Sequence, residues 1–344
     1  MVLAQVFQAV YTYVVSTVKR KSFHFPKTPK EKTPLMTNPI LLLGSSSLDI
    51  VGRLDSDLQP GTSNPARIRT SYGGVARNVA ENLARLGQPV KLVSVVGKDR
   101  SGDELLESTA SAGVDVSAVL RTDLYPTGFY MGVVDSRAHL RFAVDDMRVM
   151  SELTPEYLQQ NANLFEEASL VFMDGNLPEA TLKAATALAR KAKVPICADP
   201  ASSVLAERLQ PHLGKLHLVT CNVAEAVALT GQAFESSDPR AALEDARALL
   251  SKGVDIALVT LAEFGVVYAT AETSGHIPAI QTPILDPTGA GDALTAAVLF
   301  GLVNEMEIDD AVRLGVSAAS LTLRHSGTVF PQLTLEKLYE QLVI

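Results

Sequence analysis

Residues 286–303 read DPTGAGDALTAAVLFGLV, so a glycine-spaced turn runs directly into a long apolar segment. Gly289 and Gly291 allow the backbone to turn tightly and to point its N–H groups at a ligand. The apolar segment predicts a helix, and the N-terminal end of a helix carries partial positive charge. Together these features predict an anion site, and phosphate is the anion that suits such a loop.

Asp292 ends this turn, where its charge would repel a bound phosphate unless the carboxylate took part in the reaction. A carboxylate beside an anion site suits a general base that takes the proton from an attacking hydroxyl. We therefore assign a catalytic turn whose amides stabilise the transferring phosphoryl group, made of Gly289, Ala290, Gly291 and Asp292. The residues alone leave open a packed helix that Asp292 merely caps.

The composition favours an enzyme of small molecules. The 344 residues are 47% hydrophobic and 20% charged, enough for one large α/β domain or two ordinary ones. A net charge of −8, with no basic patch after residue 40, argues against a nucleic-acid polymer as partner. Cys197 and Cys221 stand in apolar runs, which predicts buried free thiols and a reducing, cytoplasmic location. The six histidines lack metal-ligand spacing, which argues against zinc.

Residues 1–37 differ in composition from the rest of the chain. Residues 2–18 are mildly apolar, but the run is too short and too polar to predict stable membrane insertion. A basic, proline-spaced segment follows the run, whereas a signal peptide carries its basic residues first. We expect either translation from Met36 or a disordered extension, and the alternative is a weak membrane-surface helix.

From residue 39 onward, short apolar runs alternate with helical patterns. The predicted strands are 40–43, 90–96, 170–173, 195–198, 218–221 and 256–260, and the predicted helices include 75–86, 179–191 and 239–251. Such alternation predicts a parallel sheet that is covered on both faces. Residues 50–72 and 128–146 lack long helical patterns but contain alternating segments, which predicts a small antiparallel lid.

Polar residues follow the predicted strands, at the edge of the sheet where α/β proteins bind ligands. Asp49 comes after the first strand and could accept hydrogen bonds from two sugar hydroxyls, although a lone Asp there is more often a turn residue. Gly73 and Gly74 would let the backbone approach a sugar closely. Asn78, one helical turn later, can reach a hydroxyl with its amide.

Two segments resemble the signatures of one known family. DPTGAGDALTAA at 286–297 is similar to the C-terminal signature of the ribokinase-like (PfkB) sugar and nucleoside kinases, and GGVARNVA at 73–80, with VVGKD at 95–99, is similar to their N-terminal signature. The resemblance implies a three-layer α/β/α fold with a mostly parallel central sheet and a small β-sheet lid, in one kinase domain over 38–344. It also implies ATP as co-substrate, Mg²⁺ as cofactor and a homodimer formed through the lid.

The resemblance assigns roles to residues at the predicted strand ends. Sugar-binding roles fall on Asp49, Gly73, Gly74 and Asn78, and ATP-binding roles fall on Asn222, Thr260, Gly265, Gly289 and Gly291. Ser47 and Ala262 depart from the family pattern, because many relatives have Asn and Gly at these positions.

Two further roles concern cations. Glu225, in the segment NVAE, would organise Mg²⁺ through water, since Mg²⁺ keeps several waters and takes few carboxylates. A solvated Glu in the first turn of a helix is the alternative for this residue. Asp286 and Thr288 match positions that bind a monovalent cation, such as K⁺, in many relatives.

The substrate is predicted from the lid region. GTSNPARI at 61–68 and VDDM at 144–147 are similar to lid sequences of pseudouridine kinases within this family, which implies substrate contacts from Ser63, Asn64 and Asp146. Hydroxyl and amide side chains suit the extra ring N–H of that base. The resemblance implies ATP-dependent phosphorylation of the 5′-hydroxyl of pseudouridine. Ribose, adenosine or another sugar-like substrate remains open, as does a silent nucleoside-binding module, and Thr-Ser-Asn-Pro makes a turn unaided.

Overall fold

The computed structural model describes residues 38–136, 139–232 and 238–342 of the chain. The expectations for residues 1–37 lie outside this part. In it, apolar runs of four or five residues form the buried strands, and longer amphipathic segments form the helices between them.

The central sheet has eight strands. They are β1 (Ile40–Leu43), β4 (Val90–Val93), β9 (Leu170–Asp174), β10 (Ile196–Asp199), β11 (Leu218–Asn222), β12 (Ile256–Thr260), β13 (Val266–Thr270) and β14 (Ser274–Ile277), in the order β14-β13-β12-β11-β10-β9-β1-β4. The strands from β4 to β12 pair in parallel, and β13 and β14 continue the sheet antiparallel. Their carboxyl ends therefore meet along one edge.

Helices cover both faces of this sheet. They are α1 (Val75–Arg85), α2 (Arg100–Ser111), α3 (Pro155–Gln160), α4 (Asn163–Glu166), α5 (Glu179–Ala192), α6 (Val223–Thr230), α7 (Pro239–Ser251), α8 (Ala290–Val303), α9 (Ile308–Leu323) and α10 (Leu335–Leu342). Alternate side chains of β1 enter two cores: Leu41 and Leu43 pack towards α5 to α7, and Ile40 and Leu42 towards α1, α8 and α9. The prediction of a three-layer α/β/α fold with a mostly parallel sheet is confirmed.

One predicted strand is divided in the structure. Residues 90–96 form β4 and a separate strand, β5 (Val95–Gly97), which pairs in parallel with β6 (Leu120–Thr122) in a two-stranded sheet. Ser94 stands at the break and is buried like its apolar neighbours, so the pattern of the sequence does not change there. Hydrophobicity alone therefore gave no sign of the change of sheet.

A second sheet has four strands, β2 (Ser47–Leu54), β3 (Ala66–Gly73), β7 (Gly128–Val134) and β8 (Leu140–Asp146), in the order β3-β2-β7-β8. The two hairpins are antiparallel, but the central pair, β2 with β7, is parallel. The prediction of a wholly antiparallel lid is therefore wrong. Several elements separate β2 from β7 along the chain, so no tight turn forces these strands to run in opposite directions.

Two further observations concern the described residues. Cys197 and Cys221 are both free and buried, as predicted. Among the residues that the structure describes, no helix combines the length and apolar character that crossing a membrane requires.

Candidate active site

A buried carboxylate, Asp174, joins the loop after β1 to the start of α1. Its Oδ2 accepts hydrogen bonds from Ser45 N (2.8 Å), Ser45 Oγ (2.9 Å) and Ala76 N (3.0 Å), and its side chain has no exposed surface. These bonds hold the first turn of α1 over the carboxyl ends of β1 and β9. Asp174 was not among the predicted site residues, although an acid that ends the apolar run Leu170–Asp174 was a usable signal.

Asn78 and Asp292 come from the first turns of α1 and α8 and are in contact. Asn78 Nδ2 donates a hydrogen bond to Asp292 Oδ2 over 2.8 Å, and Asn78 Oδ1 accepts one from Arg77 Nη1 over 3.0 Å. Because Arg77 can only donate, the amide nitrogen of Asn78 is the group that faces Asp292. The structure thus brings the predicted base together with a predicted sugar-binding residue.

Arg77 is a buried guanidinium, 3% exposed, that sequence reasoning did not single out. It donates hydrogen bonds to Thr109 Oγ1 (3.2 Å) and Tyr72 O (3.0 Å) and forms an ion pair with Glu81. A buried charge is tolerated only when it is paired and hydrogen-bonded, so this network fixes the guanidinium in place. Arg77 in turn fixes the orientation of Asn78.

The environment of Asp292 shifts its ionisation towards neutral pH. Burial raises the pKa of Asp292 from 3.8 to about 7, although the hydrogen bond from Asn78 lowers it. The carboxylates of Asp174 and Asp49 also raise this pKa, and the charge of Arg77 lowers it. A carboxylate with a pKa close to the operating pH is well suited to accept a proton during a reaction.

The two glycines of the anion turn face different surroundings. Gly289 has φ +80°, and a Cβ there would lie 1.9 Å from Thr328 O, so the fold itself requires glycine. A Cβ at Gly291 would meet no protein atom within 4 Å beyond its chain neighbours and the backbone of its own helix. The first complete helical hydrogen bond of α8 runs from Ala293 N to Gly289 O (2.9 Å). Gly291 N and Asp292 N are therefore left for a ligand, as usual at a helix start.

The N–H of Ala290, also predicted to bind the phosphoryl group, differs from those of Gly291 and Asp292. It already donates a long hydrogen bond, 3.4 Å, to Pro287 O. The open side of the turn thus lies at Gly291 and Asp292.

Asp49 lies on β2, is 5% exposed, and accepts a hydrogen bond from Ser47 Oγ over 2.7 Å. Burial raises the pKa of Asp49 to about 6, while Ser47, Arg77 and Arg69 lower it. Asp286 lies close enough for its charge to raise the same pKa. Asp49 therefore belongs to the same charged cluster as the anion turn, and Ser47, which departs from the family pattern, serves to hold it.

Gly73 and Gly74 are required by contacts inside the protein. A Cβ at Gly73 would lie 1.9 Å from Asp49 Oδ2, and a Cβ at Gly74, which has φ +94°, would lie 2.4 Å from Ser45 O. The glycine pair thus lets α1 begin directly against Asp49 and the loop after β1. The predicted contact of these glycines with a sugar stays a prediction, since Gly73 is buried and Gly74 only partly exposed.

Asp286 and Thr288 shape the start of the anion turn. Asp286 Oδ1 accepts hydrogen bonds from Thr288 N (3.0 Å) and Thr288 Oγ1 (2.8 Å), and the carboxylate is paired with the guanidinium of Arg69 on β3. Arg69 was not among the predicted site residues, because a basic residue in an exposed, alternating strand gives no signal by itself.

Asn222 and Glu225 form a capping box at the start of α6. Asn222 Oδ1 accepts from Glu225 N (3.0 Å), and Glu225 Oε2 accepts from Asn222 N (2.8 Å). Burial raises the pKa of Glu225. Asp199, at the end of β10, was not predicted; burial and the charges of Glu225 and Asp292 raise its pKa. These two acids therefore lie close enough for their charges to interact at one end of the site.

Thr260 and Gly265 flank a tight turn at the end of β12. Thr260 Oγ1 donates to Cys221 O over 3.4 Å. A Cβ at Gly265, which has φ +98°, would lie 2.1 Å from Ile277 O, so this glycine is needed for the turn itself. Ala262, which departs from the family pattern, has φ +51°, a conformation that costs an alanine about 1 kcal/mol.

The structure does not bring the three lid candidates into contact with the residues above. The side-chain amide of Asn64 closes its own loop, because it bonds Gln59 N (2.8 Å), Gln59 O (2.9 Å) and Thr62 O (2.9 Å). Ser63 is exposed. Asp146 forms a two-point contact with Arg148, of 2.8 and 2.6 Å, which lowers the pKa of Asp146.

Within residues 38–136, 139–232 and 238–342, no three or more His, Cys, Asp or Glu side chains are grouped so as to hold a metal ion. A cation in this site would therefore need ligands besides protein carboxylates. Water and phosphate oxygens are the usual additional ligands of Mg²⁺.

Comparison with known proteins places this geometry in context. The model of the pfkB family of carbohydrate kinases matches residues 38–335. The chain is 31% identical to the pseudouridine kinase of Escherichia coli K12, over 86% of this chain and 94% of the relative. It is 29% identical to the guanosine-inosine kinase of Exiguobacterium acetylicum, over 82% and 93%. The ribokinase of Arabidopsis thaliana, solved with ribose and ATP, superimposes with a TM-score of 0.77 at 22% identity, covering 90% of this chain and all of that one, which shows the fold alone.

Proposed function

Because this chain belongs to the pfkB family of carbohydrate kinases, we propose that it transfers the γ-phosphoryl group of ATP to the 5′-hydroxyl of pseudouridine. The products are pseudouridine 5′-phosphate and ADP. The observation that carries the proposal is Asp292, which has a pKa of about 7 and stands beside the open backbone at Gly291. A carboxylate in that state, next to free amides, has the properties of a base in phosphoryl transfer.

The residues of the site have different roles in this reaction. Asn78 orients Asp292 through Oδ2, and Asp292 takes the proton of the 5′-hydroxyl as its oxygen attacks the γ-phosphorus. The amides of Gly291 and Asp292 stabilise the charge on the transferring phosphoryl oxygens. Asp49 accepts hydrogen bonds from the ribose hydroxyls, and the backbone at Gly73 and Gly74 lies along the sugar. This division of tasks positions both reactants before the chemical step.

The nucleotide occupies the other side of the anion turn. We assign ATP contacts to Asn222, Thr260, Gly265 and Gly289, of which Gly265 and Gly289 act through backbone shape. The acids Glu225 and Asp199 fit a Mg²⁺ ion held through water: burial and the charge of Glu225 raise the pKa of Asp199, and a bound cation would favour its ionised form. When bound, Mg²⁺ neutralises charge on the ATP phosphates.

The substrate is inferred from two kinds of support. The relative that is 31% identical is a pseudouridine kinase, and the lid loop carries polar groups, Ser63 and Asn64, that suit a base edge. Asn64 can read a base only if it exchanges a hydrogen bond within its loop for one to the substrate, whereas Ser63 is exposed. Asp146 can contribute only if its pair with Arg148 opens.

A second candidate is a kinase for ribose or for another nucleoside. It is favoured by the internal hydrogen bonds of the Asn64 amide, which leave the lid loop with little base recognition of its own. The guanosine-inosine kinase among the relatives shows that related chains of similar identity are named for other nucleosides. A silent nucleoside-binding module is disfavoured, because binding alone does not require the Asn78–Asp292 contact.

We also propose that the protein is a homodimer formed through the lid sheet. This sheet exposes large apolar side chains, namely Ile68, Met131, Leu140, Phe142 and Val144. Exposed apolar groups clustered in this way mark association surfaces. Light scattering of the purified protein tests this, and a monomer at all concentrations would contradict it.

The buried free thiols are compatible with the predicted cytoplasmic location.

A substrate panel tests the proposed function. The full chain is incubated with Mg·ATP and with pseudouridine, uridine, guanosine, adenosine or ribose, and ADP formation and product mass are measured. We expect pseudouridine to have a kcat/KM at least about tenfold above the others, the effect of one buried hydrogen bond to the base. A higher kcat/KM for ribose or guanosine would replace pseudouridine by that substrate and keep the kinase.

A further inference from the structure

Asp286 is a buried carboxylate at the start of the anion turn, 3% exposed. Thr288 N and Thr288 Oγ1 donate to Oδ1, and the guanidinium of Arg69 pairs with Oδ2. Oδ1 is therefore hydrogen-bonded, whereas Oδ2 has no hydrogen bond among the described residues and is held by the ion pair with Arg69. Because Thr288 belongs to the turn itself, the position of Asp286 sets the shape of the turn that leads to Gly289 and Asp292.

Arg69 reaches this position from the lid strand β3. Its side chain is 24% exposed, and its Nη1 also donates to Ser326 Oγ (3.3 Å) in the segment after α9. Its Nε and Nη2 are buried and have no acceptor among the described residues. The pair with Asp286 is therefore the main compensation of a partly buried positive charge.

These contacts do not fit the monovalent cation that the sequence predicts at Asp286 and Thr288. A guanidinium remains charged at all ordinary pH values, so it does not leave the carboxylate by losing a proton. A cation at the same carboxylate would have to displace Arg69 or bind beside a like charge. Both alternatives are unfavourable. The first breaks the ion pair between Arg69 and Asp286, and the second places two positive charges side by side.

We propose that Arg69 replaces a monovalent cation in this site. It is a positioning residue: it holds Asp286, and through Asp286 the anion turn, so K⁺ neither activates nor specifically stabilises this protein. Since Arg69 lies on the lid sheet and Asp286 outside it, the same contact ties the lid strand to the anion turn. The inference rests on the proposed phosphoryl transfer at this turn.

The first experiment compares KCl, NaCl and choline chloride at equal ionic strength. For the wild type, Tm and phosphorylation rate should be the same in the three salts. Arg69→Ala should lose activity about ten- to a hundredfold in choline chloride, the scale of a misplaced turn, and should recover part of it in KCl. Its Tm should rise in KCl but not in choline chloride, because the exposed carboxylate can then bind the ion.

Two variants serve as controls. Arg69→Lys keeps a positive charge near Asp286 and should remain independent of K⁺. Arg67→Ala removes another arginine of β3, whose side chain is 87% exposed and pairs only loosely with Asp55 (3.5 Å). This variant should change neither the Tm nor the rate in any of the three salts.

The Tm series needs no substrate, so it separates this inference from the proposed function. If no nucleoside or sugar is phosphorylated, the function is wrong, and the salt dependence of Tm still decides the role of Arg69. A wild type that K⁺ activates or stabilises more than Na⁺ overturns the inference. So does an Arg69→Ala variant that folds but shows no K⁺ effect on Tm or rate. If Arg69→Ala does not fold, the wild-type and Arg69→Lys salt series decide.

Discussion

At the residue scale, the site depends on one carboxylate, Asp292, whose pKa lies near neutral pH. The charges of Asp174, Asp49 and Arg77 act on Asp292, and Asn78 donates a hydrogen bond to it. Burial and like charges favour the protonated form, and the amide of Asn78 favours the ionised form. The balance gives a pKa of about 7, which allows Asp292 to both accept and release a proton at neutral pH.

Replacing this carboxylate should abolish most turnover. Asp292→Asn keeps the shape but cannot accept a proton, so kcat should fall about 10²- to 10⁴-fold with little change in substrate binding. In the wild type, kcat should rise with pH through about 7, because the base must be ionised, and this rise should vanish in the variant. Steady-state kinetics across pH measure both effects. Near-normal turnover of the variant would remove Asp292 from the mechanism.

The two glycines of the anion turn make a matched pair. Gly291→Ala should fold with unchanged or slightly higher Tm, because its Cβ meets no protein atom and alanine favours a helix by about 0.5–1 kcal/mol. Its kcat/KM should nevertheless fall at least about tenfold, because the methyl group enters the space proposed for phosphate. Gly289→Ala should instead lose roughly 2 kcal/mol or more of stability, because its φ is +80° and Thr328 O is too close.

Thermal unfolding and kinetics on the same two samples separate these outcomes. A Gly291→Ala variant with full activity would show that no ligand approaches this backbone. A Gly289→Ala variant as stable as the wild type would contradict the described turn.

At the scale of single elements, α7 carries a carboxyl group, Asp245, whose ionised form is not stabilised by its surroundings. Asp245 has no exposed surface, and neither carboxylate oxygen has a hydrogen-bond partner among the described residues. Burial raises the pKa of Asp245 from 3.8 to about 6. The folded protein therefore binds this proton more tightly than the unfolded chain does. The contribution to stability is fully present below pH about 4 and is lost as pH rises through about 6.

Asp245→Asn should accordingly stabilise the protein only where the wild type is ionised. At pH 8 the variant should gain roughly 2–3 kcal/mol relative to its effect at pH 4, which follows from the size of the pKa shift. Urea unfolding at both pH values measures this difference. An equal effect of the substitution at pH 4 and pH 8 would mean that Asp245 has a partner or an ordinary pKa.

At the scale of the whole molecule, the site lies at the carboxyl edge of the central sheet, where the lid sheet contributes further residues. The carboxyl ends of β1, β9, β10 and β11 present the loops and acids, while α1 and α8 enter the same edge with their N-termini. The lid sheet supplies Asp49 from β2 and Arg69 from β3. A substrate between lid and sheet would touch elements from the whole length of the domain.

The domain should not need the N-terminal extension. The family match starts at residue 38, and β1 begins at Ile40. Deleting residues 1–35 should leave Tm, kcat and KM unchanged within error. Side-by-side purification and kinetics of the full and shortened chains provide the measurement, and a misfolded or inactive short chain would show that the extension has a structural role.

Much of the fold and part of the site follow from local sequence. Apolar runs of four or five residues specify strands such as Ile256–Thr260, and amphipathic patterns specify helices such as Pro239–Ser251. In both cases the spacing of apolar residues that are close in sequence indicates the type of element. The glycine-spaced turn before α8 is equally local. Asp292 could be selected from its place at the anion turn, whereas Asp49 and Asn78 were selected through the family resemblance of the segments that carry them.

Tertiary structure alone decided which of these residues meet. The pairs Asn78 with Asp292 and Arg69 with Asp286 join segments more than two hundred residues apart, and no local pattern encodes such contacts. The parallel pairing of β2 with β7 has the same origin. The pKa values depend on these encounters too, because burial and neighbouring charges, rather than residue type, set the ionisation of a carboxylate. The sequence therefore determined the elements and the candidate groups, and long-range packing determined their partners and their charge.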